Sequence, residues 1–203
     1  MKFVVNHSHL SRRQTGFSLI EVLVSLVILL VGILGLVGVI VVSQRTETES
    51  YQRSQALLLM QDMVARIKSN RNVAACYAIS SDVANAATPY LGVGSVIKPA
   101  CSFGSVPAYT RANSDLVAWG NLLMGASESI TIGGLSKNAG AMVGARGCIH
   151  FDPITSNYMV AVAWQGLAGT AAAVSNLTCG RGLYGNEGLR RVVSTPFAIA
   201  NLN

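Results

Sequence analysis

The longest pattern in the chain is a run with almost no polar positions. From Phe17 to Val42 there are 26 residues and one formal charge, Glu21. At ~1.5 Å per residue such a run makes roughly 39 Å of helix, enough to cross a bilayer. After Arg45 the composition turns polar, yet no proline or glycine appears before Pro89 and Gly92. Ala56, Met60, Met63 and Ile67 recur at spacings of 4, 3 and 4, widened by Leu59 and Val64, while Gln52, Arg53, Gln61, Asp62, Arg66 and Lys68 fill other faces. This predicts that the helix continues as an amphipathic second half to about Asn70, roughly 80 Å in all. The stripe reads as packing against the chain's own globular part rather than as a ligand site, and it is too short to favour a free-standing coiled coil.

Beyond residue 72 the chain is rich in Gly, Ala, Ser and Asn and poor in charge, with turn signals throughout. Tyr158, Val160, Val162 and Trp164 alternate with Met159, Ala161, Ala163 and Gln165, which predicts a strand with one bulky face. Gly147 to Phe151 precedes it across a turn containing Asp152, Pro153 and Ser156, so the two predict a hairpin. Arg190 to Ser194 predicts a later strand and Ser129 to Ile132 a weaker one. The expected fold class is α+β: one long N-terminal helix, an irregular connection from about Asn72 to Gly144, and a small antiparallel sheet on which the amphipathic half packs. The expected organisation is a leader over 1–16, a transmembrane or assembly helix over 17–42, its amphipathic continuation over 43–71, and an exported globular domain over 72–203.

Charge sets the orientation. The net charge is +6, but residues 1–16 hold Lys2, Arg12 and Arg13 and no acid, so the remainder is only +3. Lys and Arg resist translocation, whereas Arg45, Glu47, Glu49 and Arg53 after the apolar run cancel. The N-terminus is therefore expected inside and the rest across the membrane. Cys76, Cys101, Cys148 and Cys179 then lie where thiols oxidise in pairs. Their separations of 25, 47 and 31 contain no CxxC, which argues against a zinc or redox site. Three connectivities are open; sequential pairing closes the shortest loops.

An ordinary secretory signal has a shorter apolar core followed directly by a small-residue cleavage site, and neither condition is met here. A plain signal anchor is the simpler alternative. The string RRQTGFSLIEVLVSLVIL, Arg12 to Leu29, resembles the signature of type IV prepilins: basic leader, glycine, aromatic, and an apolar helix with a glutamate four residues past the aromatic. The resemblance implies that a membrane-embedded prepilin peptidase cuts between Gly16 and Phe17, leaves the apolar segment attached and methylates the new amine of Phe17. A glycine at the cut lets an extended backbone enter a tight cleft. An ionised Glu21 near hydrocarbon costs up to ~3 kcal/mol even on lenient insertion scales, so it needs a partner. The resemblance implies that this partner is the Phe17 amine of a neighbouring subunit; the simpler reading is a first-turn acid complementing the helix dipole. Gly32, Gly35 and Gly38 follow at three-residue spacing, a strip that either lets helices approach closely or reflects the frequency of glycine in membrane helices. No proline occurs near this point, which leans away from a major pilin.

A second likeness lies at the other end. Arg146 to Leu167, followed by Cys179, Gly180 and Arg190 to Val193, resembles the C-terminal part of the PilV family of minor pilins, the type IV pilus modification proteins. It implies a subunit that joins other minor and major pilins, sits in the inner membrane with an exported periplasmic domain before assembly, and then reaches a cell-surface pilus, at its tip, where it helps initiate assembly. A minor pseudopilin of a type II secretion system shares the N-terminal signature and is the alternative. The cysteines read as loop staples worth ~3 kcal/mol each rather than as reactive thiols.

Candidate chemistry is sparse. His7 and His9 fall in the leader, leaving His150 beside Cys148 in an expected strand, where two residues on one face lack the geometry of a nucleophile and base. Asp82, Asp115, Glu128, Asp152 and Glu187 form no close pair in sequence, and the Gly-rich stretch from Ile132 to Leu135 lacks the lysine of a phosphate loop. No enzyme, cofactor or metal site is expected; the chain is a substrate only. Lys137, Arg146, Arg181, Arg190 and Arg191 could form a basic patch for nucleic acid, but scattered solvated charge is the preferred reading.

Overall fold

The computed structural model describes residues 16–79, 89–138, 140 and 142–199. The expected leader, with Lys2, Arg12, Arg13, His7 and His9, lies outside the described residues apart from Gly16, as does Asp82. The chain divides into two compact units, residues 1–44 and 45–203, and the first helix, α1 (Leu19–Ser69), contributes to both.

In the first unit every described residue of α1 is exposed, including the apolar run from Leu19 to Val42. The segment is long and apolar enough to cross a membrane. Its polar groups are satisfied within the helix where they can be: the Ser25 hydroxyl donates to the Val22 carbonyl at 2.8 Å, the local bond that makes serine tolerable in an apolar helix.

In the second unit α1 behaves oppositely. It buries Gln52, Ala56, Met60, Met63 and Ile67, one face at spacings of 4, 4, 3 and 4. These join a core built with α2 (Val106–Leu123) and an antiparallel sheet of order β1-β4-β5-β6. The strands are β1 (Leu91–Gly92), β4 (Arg146–Asp152), β5 (Asn157–Gln165) and β6 (Arg190–Ala198), while β2 (Ser129–Ile132) and β3 (Leu135–Asn138) form a separate hairpin. The architecture is α+β and pilin-like: a long N-terminal apolar helix followed by a small antiparallel sheet.

β4 and β5 pair from Arg146↔Ala163 to Asp152↔Asn157 around a turn in which Asp152 accepts from the Ile154 N–H and the Thr155 hydroxyl. β6 runs to Ala198, four residues past Ser194. Pro196 is tolerated because β6 is an outer strand.

The stretch from Asn72 to Gly144, expected to be irregular, contains an 18-residue helix. α2 opens with Ser105 and Pro107 and buries Ala112, Leu116, Trp119 and Leu123, at spacings of 4, 3 and 4. Ser, Asn and Gly within it give weak intrinsic helicity, so its stability comes from burial of that stripe against α1 and the sheet. Trp119 is fully buried, donates from its indole N–H to the Leu59 carbonyl at 2.8 Å, and packs against Gly147 of β4, where a Cβ would come within 2.2 Å of the ring. Gly147 is therefore a contact glycine, whose missing side chain leaves room for the indole.

β5 is covered on both faces. Tyr158, Val160, Val162 and Trp164 face the main core, whereas Ala161 and Ala163 pack with Cys148, Cys179 and Tyr184 in a second cluster. Alanines on that side leave room for the loop 166–189 to lie directly on the sheet.

Candidate assembly site

Gly16 and Phe17 precede α1, exposed, and Glu21 lies in the first helical turn, also exposed. The local backbone begins at Ser18, whose carbonyl accepts from the N–H groups of Glu21 and Val22 at 3.0 and 3.3 Å. A Cβ at Gly16, Gly32, Gly35 or Gly38 would meet nothing within 4 Å. Unlike Gly147, none of these glycines is required by packing among the described residues. Phe17 is 84% exposed and no described group covers it.

The cysteines are joined as Cys76–Cys101 and Cys148–Cys179. The first bridge ties the 3₁₀ turn Arg71–Tyr77 to the segment before α2, and Asn113 of α2 fixes that segment by bonding both the N–H and the carbonyl of Cys101 at 2.9 Å. The second staples the loop 166–189 to β4. That loop is also held by Arg190, whose side chain is 1% exposed and donates to Glu187 at 2.6 Å and to the carbonyls of Leu177 and Cys179 at 2.7 and 3.1 Å. A buried guanidinium needs such a full set of acceptors.

The arginines suspected of forming a basic patch are thus engaged internally. Arg191 meets Glu49 of α1 at 3.4 Å and the carbonyls of Gly188 and Ala168. Arg146 stacks on the rings of Tyr90 and Tyr184, at 5.3 and 4.8 Å, and Arg181 bonds the Ser175 carbonyl. His150 is buried in β4 and Cys148 is in a disulfide, so the two provide no nucleophile.

One polar network was not foreseen. Asp115 of α2 accepts from Tyr77 at 2.7 Å and from Arg66 of α1 at 3.0 Å, while Arg66 also meets Asp62 at 2.8 Å. Burial, with the bond to Asp115, pushes the Tyr77 phenol up to about 12. Asp62 and Arg66 stand at helical i,i+4 spacing, but Asp115 is 49 and 38 residues from Arg66 and Tyr77, so only the fold brings it into the network. A cavity of about 420 Å³ beside the first disulfide has Lys98 as its one charged described lining residue. Among the described residues no group of three His, Cys, Asp or Glu is placed to hold a metal ion.

The second unit is thus built for packing, whereas the apolar helix with Gly16, Phe17 and Glu21 at its head is exposed along its whole first half. Fold and site together define a pilin-like protein of the α+β kind. Residues 11–37 match the family described as prokaryotic N-terminal methylation motif, the type IV prepilin-like segment. Comparison with curated proteins and with solved structures gives no match. The motif indicates a type IV pilin-like or pseudopilin-like chain and implies a prepilin peptidase substrate with pilin assembly partners; proteins that carry it are structural.

Proposed function

We propose that the chain is a minor pilin of the PilV type, incorporated into a type IV pilus and helping to initiate its assembly within a tip complex. The observation that carries this reading is the methylation motif at the head of a helix whose apolar half is wholly exposed. In this reading the peptidase hydrolyses the Gly16–Phe17 bond, releasing the leader 1–16, and a methyl group is transferred to the new Phe17 amine. Removal of Lys2, Arg12 and Arg13 releases the charges that hold the N-terminus inside. The same cut creates a cation, and the Phe17 amine of one subunit pairs with Glu21 of its neighbour as helices of residues 17–42 stack with an axial offset. Residues 43–71 continue the helix and 72–203 form the exported domain, periplasmic before assembly and on the cell-surface pilus afterwards.

Intact mass and N-terminal analysis of the mature chain test the reading. A start at methylated Phe17 supports it; an uncut Met1, or a start beyond Val42, overturns it. Glu21→Ala with Gly16 intact should leave cleavage normal and abolish filament incorporation, and normal incorporation would remove the pairing role. Co-purification with pilus components rather than with type II secretion components separates the minor pilin from a minor pseudopilin.

A further inference from the structure

The two disulfides of the second unit sit in opposite surroundings. Cys148 and Cys179 are 0% and 2% exposed, and Ile149, Thr178 and Gly180 beside them in the chain are buried as well. Cys76–Cys101 lies where the chain meets solvent. Ala75 beside Cys76, and Ala100 and Ser102 on either side of Cys101, are exposed, and Cys101 itself is only partly buried. Both of these cysteines line the cavity of about 420 Å³.

Phe103 makes the two sulfurs of this bridge unequal. Its N–H donates to Cys101 Sγ at 3.4 Å, while its carbonyl oxygen stands 3.7 Å from Cys76 Sγ. A donor stabilises negative charge on the sulfur it meets and a carbonyl oxygen opposes it, so a thiolate is favoured at Cys101 and disfavoured at Cys76. The turn that sets Phe103 there is fixed, because Gly104 has φ 88° and a Cβ on it would stand 2.4 Å from Val73 Cγ1. Asn113 holds the backbone N–H and carbonyl of Cys101 at 2.9 Å, bonds that do not need the bridge. Lys98, the one charged described residue lining the cavity, favours the approach of an anion.

We propose that Cys76–Cys101 is a thiol-exchange site of the folded chain, opened and closed by a dithiol partner, while Cys148–Cys179 is a permanent staple. A thiolate of the partner bonds to Cys76 Sγ as the bond between Cys76 and Cys101 breaks, and the electron pair leaves on Cys101, where the Phe103 N–H meets it. The partner's second thiolate then displaces Cys76 from the mixed disulfide. Cys76 and Cys101 take up the two protons that the partner's thiols gave, and the partner departs oxidised, as a disulfide. The same steps in reverse close the bridge.

The test treats the full chain in detergent with reduced glutathione, quenches samples with N-ethylmaleimide at intervals and maps the labelled peptides. The near-ultraviolet circular dichroism of the buried Trp119 and Trp164 is followed in parallel. Cys76 and Cys101 should react at least about tenfold faster than Cys148 and Cys179, while the tryptophan bands persist. The transient mixed disulfide should carry glutathione on Cys76 and maleimide on Cys101. Both bridges opening together, Cys148–Cys179 opening first, or no reaction short of denaturant each overturns the proposal. Labelling that keeps pace with loss of the tryptophan bands overturns it too, since the bridge then opens only through unfolding. Glutathione on Cys101 with maleimide on Cys76 overturns the assignment of Cys76 as the sulfur attacked.

Discussion

Replacing Gly147 by alanine tests how α2 is seated on the sheet. Where a glycine site is open, the change should be neutral or stabilising by ~0.5–1 kcal/mol, because alanine loses less conformational freedom on folding. At Gly147 the added Cβ would stand 2.2 and 2.4 Å from two ring atoms of Trp119 and 2.6 Å from Leu123 Cδ1. Two side chains of one helix must yield together. Trp119 cannot swing aside without surrendering its bond to the Leu59 carbonyl, so the relief available is a shift of α2 or loss of that bond. Overpacking of this kind costs about 1–3 kcal/mol and the bond about 1 kcal/mol more, a total near 2–4 kcal/mol. For a unit of this size the midpoint should fall by roughly 5–15 °C. Thermal unfolding of the full chain in detergent, followed by near-ultraviolet circular dichroism, reads this, with Gly169→Ala as the open-site control because nothing lies within 4 Å of its added Cβ. Gly147→Ala combined with Trp119→Leu should be less damaging than the sum of the two by at least ~1 kcal/mol. A Gly147→Ala chain as stable as the wild type would refute the seating of Trp119 on β4.

Two further outcomes follow from the same unit. Cys148→Ala with Cys179→Ala opens a loop closed over a separation of 31 residues, and the chain-entropy relation gives a loss of about 3.7 kcal/mol, or roughly 7–15 °C in the midpoint of thermal unfolding. Tyr77, raised to about 12 by burial and its bond to Asp115, contributes stability that is complete below its unfolded value near 10 and is lost as pH rises through 12. Midpoints measured between pH 9 and 12 should therefore fall less steeply for Tyr77→Phe than for the wild type, and parallel curves would remove Tyr77 from that role.

The membrane-capable helix, its amphipathic continuation and the β4–β5 hairpin could be read along the chain because each is written in a local period. The run Phe17–Val42 is apolar at nearly every position, Ala56 to Ile67 repeats at helical spacing, and Tyr158 to Trp164 alternates. Gly16, Phe17 and Glu21 are legible for a related reason: the features of the methylation motif fall within one short stretch, so no fold is needed to bring them together. α2 was missed although Ala112, Leu116, Trp119 and Leu123 keep helical spacing, since Ser, Asn and Gly between them dilute the signal and tertiary burial supplies what propensity does not.

The remaining features depended on contacts between distant residues. A period of two marks Val160 and Ala161 as opposite faces of β5, but only the loop stapled by Cys179 shows that the alanine face is covered as well. Arg190 and Arg191 are adjacent charges in sequence; in the fold one is buried among carbonyls and Glu187 while the other reaches Glu49. The β2–β3 hairpin reverses the case: its alternation is that of a half-buried strand, and the tertiary structure leaves it exposed. Periodicity specifies which residues share a face, a property of neighbouring backbone dihedrals. Whether that face meets protein, water or lipid is settled by which distant segments pack there.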